Sequence, residues 1–149
     1  MSGHWEVSIN APAEVVRSVF FDWAKYPEWA QGLVRGVDRN PEAFGPLYVG
    51  EVLVAHLTGG IQTPVTITTV SENRLEWTGD AYYVFSGEMT FEIKPDDENP
   101  LRTTFVMLED FRRLSWVMMK LPVISNLMSA DYMKFPVSLK SRCETLSRT

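Results

Sequence analysis

The sequence has a single cysteine, Cys143, and two histidines, His4 and His56. One cysteine closes no intrachain disulfide, and three such scattered residues offer no spacing able to hold a metal. Gly-rich phosphate loops are missing, as is any Gly-x-Ser-x-Gly nucleophile elbow, which sets aside nucleotide binding of the usual kinds and serine-hydrolase chemistry. Clustered positive charge is lacking too: Arg112-Arg113 is only a pair and the net charge is −5, the wrong sign for a phosphate-backbone partner. Apolar runs stay below the roughly 18 residues a membrane helix needs. Met1-Ser2-Gly3-His4-Trp5-Glu6 has neither the basic start nor the apolar stretch of a signal peptide, so a soluble, cytoplasmic protein is expected.

What remains is a chain of 149 residues, the size of one domain over 1–149 with one core. Five Trp, eight Phe, five Tyr and seven Met make that core rich in large, polarizable side chains, suited to dense packing or to an adaptable ligand cavity. Cys143 falls in an amphipathic helical pattern and reads as a small buried hydrophobe.

Trp5, Val7 and Ile9 alternate with polar residues, the period of a half-buried strand. Ala11-Pro12-Ala13-Glu14 then opens a helix carrying Val15, Val16, Val19 and Phe20, with Pro in the first turn and Glu near the positive end of the dipole. Tyr26-Pro27-Glu28-Trp29-Ala30 predicts a second short helix entered through Pro27 and ended by Gly32. Strands follow over Leu33 to Val37, Tyr48 to Leu57, Thr63 to Val70, around Leu75-Glu76-Trp77, over Val84 to Ile93 and over Thr103 to Phe111, separated by Gly-, Pro- and Asn-rich turns. From Leu114 the period becomes helical, with Met128, Tyr132, Phe135, Leu139, Cys143 and Leu146 in one stripe and Pro136 predicting a kink or a broken turn.

This order resembles the START/SRPBCC superfamily and, within it, the polyketide cyclase/dehydrase family. The residues carrying the resemblance are Val7-Ser8-Ile9-Asn10-Ala11-Pro12-Ala13-Glu14-Val15-Val16, Asp22, Tyr26-Pro27-Glu28-Trp29, Gly50, Leu75 and Trp77, Phe91, and Glu109-Asp110-Phe111. The resemblance implies an α+β helix-grip (START-like) fold: a curved antiparallel sheet of about seven strands wrapped around a long C-terminal helix, with two short helices after the first strand and a cavity between sheet and helix. Fold alone leaves the function open, since the superfamily includes cyclases, carriers, receptors and chaperone activators.

Candidate site residues follow from strand parity. Glu109 shares a face with Phe105, Met107 and Phe111, where desolvation would raise its pKa as a general base requires; the competing reading is exposure at the strand's rim. His56 is a candidate acid/base partner, or else a surface residue beside Gly59-Gly60, and Glu51 has the opposite parity, so one of the two points inward. Tyr132 lies on the helix stripe, where a buried hydroxyl needs a partner that a ligand oxygen or the sheet could supply. Either Tyr82 or Tyr83 faces in at the start of the strand bearing Phe85, Met89 and Phe91. Trp77, Met128 and Phe135 complete the expected lining, Trp29 closes one end, and Trp116-Val117-Met118-Met119 reads as core, lip or homodimer packing.

Without a metal, cofactor or covalent nucleophile, an enzyme of this kind would hold a reactive substrate and move protons. With the resemblance, this implies a cyclase, or cyclase/dehydratase, acting on a reactive poly-β-keto or related natural-product intermediate. Its alternative is a non-catalytic carrier of a lipid, quinone or polyketide.

Overall fold

The computed structural model of the chain describes residues 2–81, 85–114 and 122–148; for residues 2, 80, 81, 85, 111–114 and 122–131 it describes the backbone without the side chain. Strand β1 (Ser2–Ile9) turns Trp5, Val7 and Ile9 toward the core, as their alternation predicts. Helix α1 (Ala13–Phe20) starts after Pro12, whose φ of −63° suits an N-cap and whose missing N–H is not needed there, and it buries Val16, Val19 and Phe20. The second short helix is a 3-10 turn over Trp23–Glu28, so it begins ahead of Pro27 and not at it. Tyr26, fully buried, donates its hydroxyl to the Phe20 carbonyl at 2.5 Å and ties this turn to the end of α1.

The other strands are β2 (Val34–Asp38), β3 (Val52–Leu57), β4 (Gln62–Ser71), β5 (Arg74–Ala81), β6 (Phe85–Pro95) and β7 (Thr103–Leu114). β3 is shorter than the strand composition of Tyr48 to Leu57 suggests. Gly50 has a φ of +95°, which breaks the extended run, and Arg39 gathers the preceding loop by donating to the carbonyls of Gly45 and Pro46. All neighbours pair antiparallel in the order β1-β7-β6-β5-β4-β3-β2, so the first and last strands lie side by side and the sheet curls into a half-barrel.

Helix α2 (Pro122–Ser147) lies against the concave face of that sheet, burying Tyr132, Phe135, Leu139 and Cys143 as the stripe predicts. Leu146 departs from it, at 43% exposure in the last turn. The helix also runs unbroken through Pro136, so no broken turn occurs there. Its C-terminal end is pinned to β1 by polar contacts: Lys140 Nζ donates to the Ser8 carbonyl at 2.6 Å, and the Glu144 carboxylate accepts from the Asn10 N–H at 2.8 Å and from Lys140 at 2.9 Å.

Between helix and sheet the aromatic rings meet one another. Phe135 lies 6.2 Å from both Phe91 and Phe105, and Phe20 lies 5.1 and 5.5 Å from the same two rings, in the tilted and edge-on geometries that aromatic quadrupoles favour. These rings are almost wholly shielded from water. Truncation of Phe135 to Ala should therefore cost about 3–5 kcal/mol, the range for emptying a packed aromatic site, read as a lowered urea midpoint at unchanged slope.

Candidate active site

Register on the concave face decides what surrounds Glu109. Cross-strand pairing makes a row of Gly3 on β1, Glu109 on β7, Met89 on β6, Trp77 on β5 and Ile67 on β4. Apart from Gly3, every member is buried, Glu109 to 5% exposure, so its carboxyl sits inside the fold and not at the rim. The Oε2 atom of Glu109 is sealed from solvent with no hydrogen-bond partner among the described residues. A buried acceptor left in that state is costly unless the carboxyl keeps its proton.

The polar neighbour is Tyr132, brought in by α2. Desolvation pushes the Glu109 pKa up to about 8, and the neighbouring Tyr132 phenol opposes that rise only in part. The phenol's own pKa is driven far up, by burial first and then by the neighbouring carboxylate charge, so Tyr132 remains a neutral O–H. Around neutral pH the pair is thus a carboxylic acid beside a phenol, with two protons available for donation.

Trp5 completes the site on the β1 side. Its indole stacks on the Tyr132 ring at 4.4 Å between centroids and 19° between planes. It reaches back along its own strand over Gly3, where a Cβ would stand 2.0 Å from the indole Cη2. Gly3 is the direct partner of Glu109 in the β1–β7 ladder, so the indole lies across the position next to the carboxyl. Sequence reasoning placed Trp5 on the inward face but gave it no part in the site; the available signal was a glycine two residues earlier on the same face of the strand.

The structure distributes the other expected site residues differently. Trp77 and Met89 share the Glu109 row. Phe91, Phe105, Met107 and Phe135 are buried in the close-packed core. Trp29 packs edge-on against Tyr26 at 4.7 Å and tilted against Phe135 at 5.8 Å, and it lines a groove of about 410 Å³ along α2. Glu51 turns inward, but both carboxylate oxygens are taken by Arg39, with Nε donating at 2.6 Å and Nη2 at 3.1 Å, so it anchors the loop. His56 turns to the opposite face, pairs with Asp38 at 2.5 Å, and stands on β3, separated from β7 by three intervening strands. It is therefore not brought to Glu109. Tyr82, Tyr83 and Trp116 to Met119 lie outside the described residues, as do the side chains of Phe85 and Met128.

A curled seven-stranded sheet holding one long helix, with an acid on its inner face, defines a START-like helix-grip protein. Residues 4–144 match the family described as "Polyketide cyclase / dehydrase and lipid transport", and the chain belongs to that family. Among solved structures it is similar to a START superfamily protein from Mycobacterium smegmatis, with 20% identity and a TM-score of 0.71 over 97% of this chain and 98% of that one. It is also similar to the Zhui aromatase/cyclase from Streptomyces sp. R1128, with 13% identity and a TM-score of 0.72 over 97% and 93% of the two chains. A third similarity is to the di-domain ARO/CYC BexL of the BE-7585A biosynthetic pathway, with 13% identity and a TM-score of 0.72 over 100% of this chain and 48% of that one. No curated protein matches the chain. Among the described residues, no helix is long and apolar enough to cross a membrane.

Burial of Glu109 ties stability to pH in an unusual direction. Below about pH 4.5 both folded and unfolded chains hold the proton, and the group contributes no difference. Between about 4.5 and about 8 the unfolded chain releases it while the folded chain does not, so stability falls as pH rises, by roughly 4–5 kcal/mol in all before levelling off. Glu109→Gln has no such titration. Its melting temperature relative to wild type should therefore climb steadily from pH 5 to pH 8 and then flatten, as measured by calorimetry.

Proposed function

We propose that the chain is a cofactor-independent cyclase, or cyclase/dehydratase, that folds a reactive poly-β-keto intermediate against the concave face and moves protons through Glu109. The observation that carries this reading is the buried Glu109 carboxyl, its Oε2 unpartnered among the described residues, beside the Tyr132 phenol. A binding surface that only needed to be apolar gains nothing from an ionisable group held there at a cost in stability. Membership of the family described as "Polyketide cyclase / dehydrase and lipid transport" admits this class of chemistry alongside lipid carriage.

The chemistry follows from the protonation state. With its midpoint at about 8, Glu109 at pH 7 is mostly the acid. As an enol carbon of the substrate attacks a ketone carbon, a carbon–carbon bond forms, the ketone oxygen takes the Glu109 proton, and the enol proton passes to a solvent water reached through the substrate's open end. The resulting carboxylate then removes a proton from the methylene beside the new alcohol. A carbon–carbon double bond forms, the hydroxyl leaves, and with the proton released earlier it makes water, so Glu109 ends protonated. Tyr132 donates a hydrogen bond to the carboxylate while it exists, or to a substrate oxygen. Holding the chain in the reactive fold adds the larger entropic part of the acceleration.

Glu109→Gln keeps shape and hydrogen bonding but cannot transfer the proton. Ring closure of a poly-β-keto substrate should slow by about 10²-fold or more while affinity survives, and the wild-type rate should decline as pH rises through about 8. Product distribution is to be measured with rate, because a template can select a ring without a proton donor. A wild type that does not accelerate closure over buffer overturns the enzyme reading in favour of a carrier.

A further inference from the structure

Trp5 packs against the edge of the core in an unusual orientation. It is half-buried near the start of the edge strand β1, on the same face as Val7 and Ile9. Its ring does not stand up from the strand toward the helix alone. It lies back over Gly3, filling the space that any other residue's Cβ would occupy, and its face meets Tyr132 at stacking distance. Since Gly3 faces Glu109 across the ladder, the indole that stacks on the phenol ring also covers the strand position directly beside Glu109.

We propose that Trp5, seated in the notch left by Gly3, is a positioning residue of the Glu109–Tyr132 pair: its indole shuts water out on the β1 side and fixes the phenol ring in place by stacking. The inference rests on the reading of Glu109 as the proton-transfer group, but its physical content, a ring that keeps a carboxyl dry, is separate from catalysis. Stacking of an aromatic pair adds attraction beyond burial and favours one orientation of the phenol over its rotated alternatives. Exclusion of water acts on the carboxyl directly, since a group on an apolar wall keeps its proton to higher pH than one in water. Tyr132 is the one side chain that faces Glu109 with a titratable group among the described residues, so the acid's behaviour depends on that phenol and on dryness. On the other face of β1, His4 and Glu6 pair with each other at 3.5 Å in solvent and point away from the site.

Gly3 has its own part in this arrangement. At 2.0 Å from Cη2 an added methyl must displace the indole, because a Cβ on a strand backbone cannot itself move aside. Gly3→Ala should therefore have much the same effect on the site as removal of the indole, although Trp5 itself is retained.

The test reads the carboxyl without relying on turnover. Protein labelled with 13C at the glutamate carboxyl carbon is titrated by NMR, and the Glu109 signal is identified by its loss in Glu109→Gln. Trp5→Ala and Gly3→Ala should each lower the Glu109 midpoint by at least about one pH unit, whereas Trp5→Phe, which restores an aromatic ring, should recover most of the wild-type value. Circular dichroism and thermal unfolding establish that each variant is folded, and Gly3→Ala, which deletes nothing, stands in if Trp5→Ala is not. An unchanged midpoint in either folded variant overturns the proposal. Activity separates the two readings. If the midpoint moves and the pH at which the rate declines moves with it, both stand. If the midpoint moves while the rate profile does not, the positioning role stands and Glu109 is not the proton-transfer group.

Discussion

A curled sheet has an inner face that cannot be left to water, and in this chain the covering element is α2. Every other feature answers to that contact. Phe135 packs against Phe91 and Phe105, which are backed by Phe20, and this sets the depth of the helix, while Lys140 and Glu144 clasp the end of β1, which sets its rotation and its position along the axis. With those two constraints satisfied, Tyr132 has little choice. One turn back from Phe135 on the same stripe, it is delivered to the inner face of β7 beside Glu109. The site is therefore a consequence of how the helix is gripped and not of a local loop motif.

Particular residues show what was legible in advance. Strand alternation put Glu109 on the face of Phe105 and Met107 but left open whether its carboxyl is buried or sits at the rim, because a period of two gives the face and not the depth; only the packed structure shows it buried. The same rule correctly set Glu51 and His56 on opposite faces, but parity has no absolute sign. Arg39 resolved it: a guanidinium that clasps Glu51 satisfies a buried carboxylate, and His56 then falls to the outside with Asp38. Distance along a sequence also says nothing about how many strands intervene, which is why His56 and Glu109 could seem neighbours. The start of the second helix was misplaced for a local reason. Pro27 is as compatible with the later part of a 3-10 turn as with its entrance, since its fixed φ fits both.

Trp5 illustrates a different kind of blindness. Its burial was readable from alternation, yet a side chain's direction along the strand is a matter of rotamer and free volume, neither of which has a period. Only the absent Cβ of Gly3 hints that something lies over that residue, and a glycine in the second or third position of a chain ordinarily passes for a loose end. Here the glycine and the tryptophan form one unit, each explaining the other.

Local rules of folding are broken most informatively at Glu109. A glutamine would fit the same space and spare the fold the electrostatic cost of ionisation, so stability alone does not account for the acid. Elsewhere the chain handles buried charge in the conventional way, as Arg39 and Glu51 show with two parallel hydrogen bonds. At Glu109 no guanidinium or ammonium among the described residues comes near, and the compensation offered is a phenol that stays neutral. A cation would have held the carboxylate charged across the physiological range and left it a weak base. A phenol and an apolar wall hold it protonated near neutrality while keeping the ionised form within reach. That is the property the proposed proton transfers ask of Glu109, which in that proposal first gives a proton to a carbonyl oxygen and then takes one from carbon within a single turnover.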